Sequence, residues 1–551
     1  MTHIATVQLQ DYYQHKVFES LVSKRHWSRF ESRLRHDVDE TLSLLDRYEV
    51  SATFFTLGWI AEHFSDMVRT ISDAGHEIAS AGYWGVDRLS ATQMEFREDL
   101  RQGKEALEAA TGKQVIGYRS IRRSLTEREL WHLDLIAEEG YLYDSSLMPA
   151  ALPWRRGSAS AGYFQHETRR GSIAEIAHST ACLAGFRVPV GGGNFLRQLP
   201  SRFTFHAFRD WGKKHNDPFV LYFHPWELDT EQPEVSAFDT ITRIRQYRNL
   251  GKMRDLLPRY FETARFGTAA SFLGLQCRHA EPAAVTTSPQ PPIELSADDE
   301  EARDITVVIP CHNESRTLGF LERALDELTQ AARGRYRMRY LLVDDKSTDN
   351  TLELLRSTFD DPERYTVIAL PENRGVSGAI MAGIEAAKTD TVCSIDADCS
   401  YDPLELLEMI PLLTAGVSLI TASPYHPDGS VLGVPEWRLF LSKGLSAIYR
   451  GVLTHKLATY TACFRVYRRE EALAVSPEFG DFRGILELLV KLDMAGKGIV
   501  EYPTTLQSRL FGFSKMKTLN VIGKHLDMLR RMPQFRREVD QHSPGEAPQR
   551  V

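Results

Sequence analysis

Along the whole chain, short runs of apolar, β-favouring residues alternate with longer stretches of helical period. The runs include HIATVQLQ (3–10), ATFFTLG (52–58), FVLYFHP (219–225), ITVVIP (305–310), YLLVDD (340–345) and TVCSID (391–396). Between them, stretches such as ETLSLLDRYEV and TLGFLERALDELTQAA repeat apolar residues at helical spacing. A nearly continuous apolar strand has both faces covered, so strands of this kind alternating with helices predict parallel α/β sheets in both halves. The pattern fails over residues 278–303, RHAEPAAVTTSPQPPIELSADDEEAR, which have almost no large apolar side chains. That stretch buries too little to fold alone and reads as a flexible linker. The expected organisation is a domain over 1–277, the linker, a second domain over 304–537, and a disordered tail over 538–551.

A chain of 551 residues exceeds one hydrophobic core, which agrees with two domains. Its 42% apolar and 25% charged content is ordinary for a globular protein, and its net charge of −8 argues against a nucleic-acid binder. No apolar run approaches a membrane span, and MTHIATVQLQDYYQ lacks the basic and apolar segments of a signal peptide. The six cysteines form no CxxC pair, so reduced thiols and a cytoplasmic location are expected.

The candidate chemistry of the second half lies where its apolar runs end. VVIPCHNE (307–314) leads from a strand through a polar turn into a helix, and open α/β sheets bind ligands at such carboxyl ends. The next run ends in Asp344 and Asp345, followed by Ser347, Thr348 and Asp349. The last three also suit helix N-caps, whereas capping does not explain two adjacent acids. A third run ends in Asp396 and Asp398, a D-x-D spacing that places two carboxylates where one hard cation can meet both. Such a cation offsets charge on a departing diphosphate. The stretch 371–387, PENRGVSGAIMAGIEAA, reads as a glycine-bearing turn into a helix that can wall a phosphate site.

Three acid-tipped strands in this order resemble family 2 glycosyltransferases of GT-A fold, and among them the dolichyl- or polyprenyl-phosphate mannose synthases, over about 303–535. The resemblance implies that Pro310, His312 and Glu314 line the nucleotide pocket, with Asp345 near the base. His312 stands where the family often has Tyr. Asp396 and Asp398 would hold Mg or Mn with the diphosphate of a nucleotide-sugar donor, Asp398 being central to catalysis. RLFGFSK (509–515) resembles the R-x-x-G-x-S-K element of polyprenyl-phosphate transferases, so Arg509 and Lys515 would grip phosphate. YTACFRVYRR (460–469) resembles the family's GFR segment, with Ala462 and Cys463 in place of a Ser–Gly pair. Glu487 is open to two readings, a base for a hydroxyl acceptor or a buried structural acid. The stretch 516–532 puts Leu519, Ile522, Leu526 and Leu529 on one helical face near basic residues. That face packs on its own domain or rests on an anionic membrane.

The first half resembles polysaccharide deacetylases of the NodB homology class, distorted (β/α) barrels, from residue 3 to about 265. The resemblance rests on ATFFTLGWIAEHFSDMVRTISDAGHEIAS, GYRS, EEGYLYDSS, VPVGGGNFLRQLP and FVLYFHPWELD. Active members use an Asp-His-His metal site and an acidic base. Here Ala81 and Gly85 stand at the two His positions, and neither can bind a metal. The first strand reads QLQD (8–11): Gln8 replaces the base, Gln10 the next acid, and Asp11 remains. A neutral amide cannot take a proton from water. RHDVDE (35–40), with Asp37 and Asp39, reads instead as the acidic first turn of a helix. A rescue set of Asp11, Asp144 and His224 is conceivable, yet no metal is expected in this half, and VGGGN (190–194) reads as a flexible or close-approach loop.

The chain is therefore expected to be a metal-dependent glycosyltransferase using a nucleotide-sugar donor. Its acceptor would be polyprenyl phosphate or another glycan or small molecule. The barrel would be a scaffold or binding module, and peripheral contact with the inner membrane face is conceivable. Two alternatives stay open, a bifunctional deacetylase/glycosyltransferase and a soluble enzyme acting on a small metabolite.

Overall fold

The computed structural model describes residues 2–19, 21–87, 90–121, 130–149, 162–169, 171–183, 186–235, 240–277, 302–434, 436–507, 509 and 518–542. The chain divides into two compact units, one drawn mainly from residues up to Pro289 and the other mainly from Gln290 onward.

In the first unit the strands are β1 (His3–Leu9), β2 (Thr53–Thr56), β3 (Glu77–Ser80), β4 (Gly117–Tyr118), β5 (Tyr143–Asp144), β6 (Tyr163–Thr168), β7 (Gly171–Ile176), β8 (Thr180–Leu183), β9 (Phe186–Pro189), β10 (Val220–Phe223) and β11 (Phe266–Gly267). One sheet runs β10-β1-β2-β3-β4-β5-β7-β6, with β11 beside β1; its pairings are parallel except β6 with β7. The separate β8-β9 pair is antiparallel.

The long sheet curls. Val220 at one end of the order and Ala174 and Ile176 near the other join Ile4, Phe55, Ala79 and Tyr143 in one buried cluster. A flat sheet would hold these strands too far apart to share a core. β1 is buried at all seven positions, its polar His3, Thr6 and Gln8 included, as expected of a strand covered on both faces. The VGGGN segment makes a close approach: a Cβ at Gly192 would lie 1.9 Å from the Tyr222 carbonyl oxygen, and one at Gly191 2.2 Å from that of Val220. Only glycine admits the loop that close to β10.

The second unit contains β12 (Arg303–Cys311), β13 (Tyr336–Asp344), β14 (Tyr365–Ala369), β15 (Thr391–Ser394), β16 (Val417–Ser423), β17 (Ser430–Leu432), β18 (Arg465–Arg468), β19 (Gly498–Pro503) and β20 (Thr505–Gln507). Its main sheet has the order β14-β13-β12-β15-β18-β16-β19, and β18 runs antiparallel to both neighbours. Alternation along β12 splits the core into two layers. Ile305, Val307 and Ile309 pack with Leu318, Leu321 and Leu325 of the helix Leu318–Ala332. Val308 faces Ile380 and Ile384 of the helix Gly375–Ala386 on the other side. That second helix sits close: a Cβ on Gly383 would come within 2.3 Å of Val308 Cγ1. This arrangement of a mostly parallel sheet between helices is the GT-A-type α/β fold expected for the second half.

From β12 the chain moves to β13 and β14 on one side, then returns to place β15 on the other. The crevice outside the carboxyl ends of β12 and β15 is thus a topological switch point, where open α/β sheets bind ligands. The helix Thr518–His542 corrects two expectations. It continues past Arg537, into the segment read as a tail, and its buried stripe is His525, Met528, Met532, Phe535 and Val539. Leu526 is 52% exposed and lies off that stripe, whereas Leu529 of the same predicted face packs against the domain core. The side chains of Leu519 and Ile522 lie outside the described residues.

Candidate functional site

At the switch point, β12 and β13 end in register, Cys311 opposite Asp344, and the Asp345 N–H donates to the Cys311 carbonyl at 2.8 Å. The two following loops are stitched together by side chains. Asn313, with φ of 56°, takes the left-handed conformation that Asn tolerates better than most residues. Its Oδ1 accepts from the Thr348 and Asp349 N–H groups at 2.7 and 3.3 Å, and its own N–H donates to Ser347 Oγ at 3.0 Å. Asp349 accepts from the Thr351 N–H at 3.0 Å just ahead of the helix Thr351–Thr358, whose N-cap position is Asn350, while Ser347 serves the crossing loop. His312 Nδ1 bonds the Asp345 carbonyl oxygen at 2.8 Å, and Asn373 Nδ2 donates to the same oxygen at 3.0 Å. Asn313 and Asn373 escape motif reading because neither carries charge; the one available signal is an Asn in a turn beside a strand end.

Asp345 points its carboxylate at the start of the helix Gly375–Ala386, where Oδ1 accepts from the Arg374 N–H at 2.6 Å and Oδ2 from the Gly375 N–H at 2.8 Å. The helix dipole favours an anion there. Asp344, buried beside it, leaves Oδ1 without a hydrogen-bond partner.

The acid cluster forms around Arg509. Its Nε donates to Asp398 Oδ2 at 2.5 Å and its Nη2 to Glu314 Oε1 at 3.1 Å. Residues from two strand-end loops far apart in sequence therefore converge on one guanidinium. Asp398 Oδ1 accepts from the Ser400 N–H and hydroxyl at 2.9 and 2.6 Å, which fixes its rotamer. Burial first, and the neighbouring Asp398 second, push Asp396 up to about 7 against the opposing pull of Arg509. Cys463, at the position of a small residue in the GFR-like segment, hydrogen-bonds Asp396. Arg465 in the same segment is fully buried and donates to the Ile485 and Tyr460 carbonyls at 2.6 and 2.8 Å, a structural role. Pro310 sits in β12 opposite Val343 and leads into this cluster.

Glu487 is not part of it. It is fully buried in the helix Phe482–Met494, and its oxygens accept from the Glu478 and Phe479 N–H groups at 2.9–3.1 Å and pair with Lys491 at 2.8 Å. The geometry gives it the structural role, in place of the base role. Lys515 lies outside the described residues.

Residues 306–473 match glycosyl transferase family 2, residues 23–130 match polysaccharide deacetylase, and residues 145–274 match a domain of unknown function (DUF3473). A polyprenol monophosphomannose synthase of Mycolicibacterium smegmatis is 30% identical over 222 residues, 39% of this chain and 82% of that protein. The chain belongs to glycosyl transferase family 2. An undecaprenyl-phosphate 4-deoxy-4-formamido-L-arabinose transferase of Pectobacterium carotovorum is 29% identical to this glycosyltransferase over 42% of the chain and 68% of that protein. The solved glucosyl-3-phosphoglycerate synthase of Mycobacterium tuberculosis is 20% identical, covering 44% of this chain and 82% of that one, with a TM-score of 0.33.

The deacetylase-like barrel keeps the expected strand but not the family's donors. Gln8 and Gln10 are buried at the end of β1, and Gln8 Nε2 has no hydrogen-bond partner. Ala81 is fully buried, with its N–H on the Thr56 carbonyl at 2.8 Å. Gly85 has φ of 60° and lies against Ile121. Arg119 reaches across the interior from the end of β4 to Thr6 Oγ1 and Ser145 Oγ, both at 2.8 Å.

The three residues of the conceivable rescue set have separate partners. Asp11 caps the turn Tyr12–Gln14 and accepts from Ser32 Oγ at 2.6 Å; burial pushes it up to about 7. Asp144 accepts from Ser146 Oγ at 2.7 Å and lies opposite Glu175. His224 lies 3.4 Å from Glu227 and packs on Trp226. Asp11, Asp144 and His224 do not converge; among the described residues, His36, Asp37 and Asp229 do. A cavity of about 300 Å³ opens beside His76, Glu77 and Cys277, at the amino end of β3 and away from the strand ends described above. Barrel chemistry sits at the carboxyl ends, so this cavity belongs to the structural face.

Proposed function

We propose that this glycosyltransferase transfers a sugar from a nucleotide-sugar donor to a phosphate-bearing acceptor of the polyprenyl-phosphate type, with a divalent cation at Asp396 and Asp398. One observation carries the reading: Arg509 bridges Glu314 and Asp398 at the switch point, beside Asp396. Three acids against one guanidinium leave two negative charges unmatched, and Asp396 is raised by burial first and by the Asp398 charge second. A divalent ion meets it, and the donors are hard carboxylate oxygens, which suit Mg or Mn. When bound, the ion offsets charge on the departing diphosphate.

The chain's own groups do the rest. Glu314 and Asp398 hold Arg509 ready, and the guanidinium is free to exchange a carboxylate for a phosphate oxygen, a bidentate contact suited to its planar fork. Lys515 adds a second positive charge to the same role. Asp344 offers its unpartnered oxygen, and His312 and Asp345 frame the nucleotide side of the crevice. A phosphate acceptor is already a nucleophile at neutral pH, so positioning and charge neutralisation suffice without a general base. The two curated relatives named for polyprenol and undecaprenyl phosphate support the acceptor class.

The same reading places the domains at 1–277 and 304–542, the second running to the end of the helix Thr518–His542. It locates the protein at the inner face of a membrane: its six cysteines form no disulfide, which fits a reducing compartment. Ile448, Val452 and Leu526 are exposed on two helices that meet through Tyr449 and His525, and this apolar area suits a lipid surface. No helix among the described residues is long and apolar enough to cross a membrane. The barrel acts as a non-hydrolytic scaffold or binding module.

The test is sugar transfer from a panel of nucleotide sugars to short-chain polyprenyl phosphate, to a soluble phosphorylated acid, and to water. Metal-dependent transfer to the lipid phosphate is expected. Transfer to the soluble acid alone would replace the acceptor class, and acetate release by the same preparation would establish the bifunctional alternative.

A further inference from the structure

The helix Leu34–Arg47 opens with His36 and Asp37 in its first turn. Asp37 is 1% exposed, and neither of its carboxylate oxygens has a hydrogen-bond partner. Asp229 is equally buried. It follows β10 and the turn Pro225–Glu227, which places it on the carboxyl side of the sheet, as is Asp11 after β1. Ligand atoms of His36, Asp37 and Asp229 all lie within 4.8 Å of one another. The cation among these acids is Arg33, whose Nε and Nη2 are directed at Asp229, the latter at 3.2 Å from Oδ1. The charges of Asp229 and Asp11 both act on Asp37, and Arg33, the opposing charge, is already paired with Asp229. A buried carboxylate with bare oxygens is costly unless something meets it.

We propose that His36, Asp37 and Asp229 form a binding site for a divalent transition-metal ion, separate from positions 81 and 85. One imidazole nitrogen with two carboxylate oxygens is a donor set suited to Zn2+, Co2+ or Mn2+, and three protein ligands leave a position for water. The site's outer edge is His36, whose side chain is 54% exposed and lies 4.0 Å from Glu40, so an ion can enter from solvent at the imidazole. Its inner edge is Asp37. The ion joins the first turn of the helix to the loop after β10, and it supplies the partner that Asp37 lacks. The absence of metal expected from positions 81 and 85 does not extend to this set.

The experiment uses the full-length chain, stripped with chelator, dialysed, and titrated at neutral pH with Zn2+, and with Co2+ for its visible spectrum. Wild type should bind a Zn2+ ion that raises the thermal midpoint of the first unit. Asp37→Asn keeps the side-chain shape and removes a buried charge, so it should fold in chelator at least as well as wild type. It should nevertheless lose that ion, with affinity down by about 100-fold or more, since even a partner behind a ligand is worth about 10–100-fold. His36→Ala should weaken binding by about 10-fold or more, and Asp398→Ala should leave this ion in place. Equal Zn2+ binding and equal thermal response in wild type and Asp37→Asn would overturn the site. So would a wild-type chain that binds no ion beyond the one removed by Asp398→Ala, which would make Asp37 a neutral buried acid.

Discussion

Each half of this protein gathers acids and an arginine at the carboxyl side of a mostly parallel sheet. In the second half Glu314, Asp396 and Asp398 surround Arg509; in the first, Asp11 and Asp229 act on Asp37, and Arg33 pairs with Asp229. The charge count is the same and the surroundings are not. Asp398 and Arg509 lie at a switch-point crevice, with Arg509 29% exposed. Asp11, Asp37 and Asp229 are buried to 1% or less, and Asp11 is spent on a turn and a serine. A fold therefore supplies the address for chemistry without supplying the chemistry. What decides it is whether the acids face a space that a substrate can enter.

Breaking the comparison at its strongest point gives the largest effect. Asp398→Ala should lower sugar transfer by about 10²–10³-fold. Stability should move by only about 1 kcal/mol, because the lost Arg509 contact is offset by relief of repulsion with Asp396. Unchanged turnover, measured beside a melting curve, would remove Asp398 from the site. Arg509→Ala should cost about 10²-fold, and Arg509→Lys should recover part of that, since a point charge cannot make the two-pronged contact. Full recovery by Lys would show that charge alone matters there.

In the barrel the same kind of cut should strike stability instead. Arg197 and Glu227 are a buried pair at 2.7 Å, with side chains 1% and 0% exposed. Arg197→Ala strands a carboxylate and should destabilise the first unit by about 3–5 kcal/mol without touching the transferase crevice. The pair also sets a pH signature. Burial pushes Glu227 up, but Arg197 and then His224 outweigh it and hold the group at about 2, below its ordinary 4.5. A lowered carboxylate stabilises the fold above 4.5 and loses that contribution as pH falls towards 2, up to about 3 kcal/mol. Urea unfolding from neutral to acid pH should show this slope in wild type and a shallower one in Glu227→Gln; equal slopes would remove the assignment.

The smallest effect tests whether the barrel can be returned to hydrolysis. Ala81→His with Gly85→His should yield no acetate release from N-acetylated sugars, because Gln8 still stands at the base position. It should also destabilise the unit by about 1–3 kcal/mol through overpacking at a fully buried Ala81. Strain at Gly85, where φ is 60°, adds about 1–2 kcal/mol. Acetate release by the double variant would show that the barrel lacks ligands and nothing else.

Much of the fold was legible because its signals are local. Apolar runs gave β1, β2, β10, β12, β13 and β15, and the acidic turn at residues 35–40 begins a helix as read. The D-x-D spacing needs only one strand end, so Asp396 and Asp398 were visible from sequence alone. The approach of Arg509 to Glu314 spans 195 residues, and only a family motif hinted at it. Glu487 shows the limit from the other side. An acid in an apolar helix looks the same in sequence whether it is a base or a cap, and its backbone partners at 478 and 479 decide between the two. Helical spacing likewise proposed a face containing Leu526, but helix packing selected the stripe from His525 to Val539. Periodicity defines which residues share a face, whereas the neighbouring core defines which face is inside.

The sequence by itself determined two α/β halves and the acids at the strand ends, which follow from residue identity and short-range spacing; the loss of donors at positions 8, 81 and 85 was legible only through the resemblance to deacetylases. The tertiary structure alone decided that Arg509 bridges two acids, that Asn313 ties two loops, and that Asp37 meets Asp229. Those pairings join segments far apart in the chain. Such encounters are set by how sheets twist and helices pack, and no local pattern encodes them.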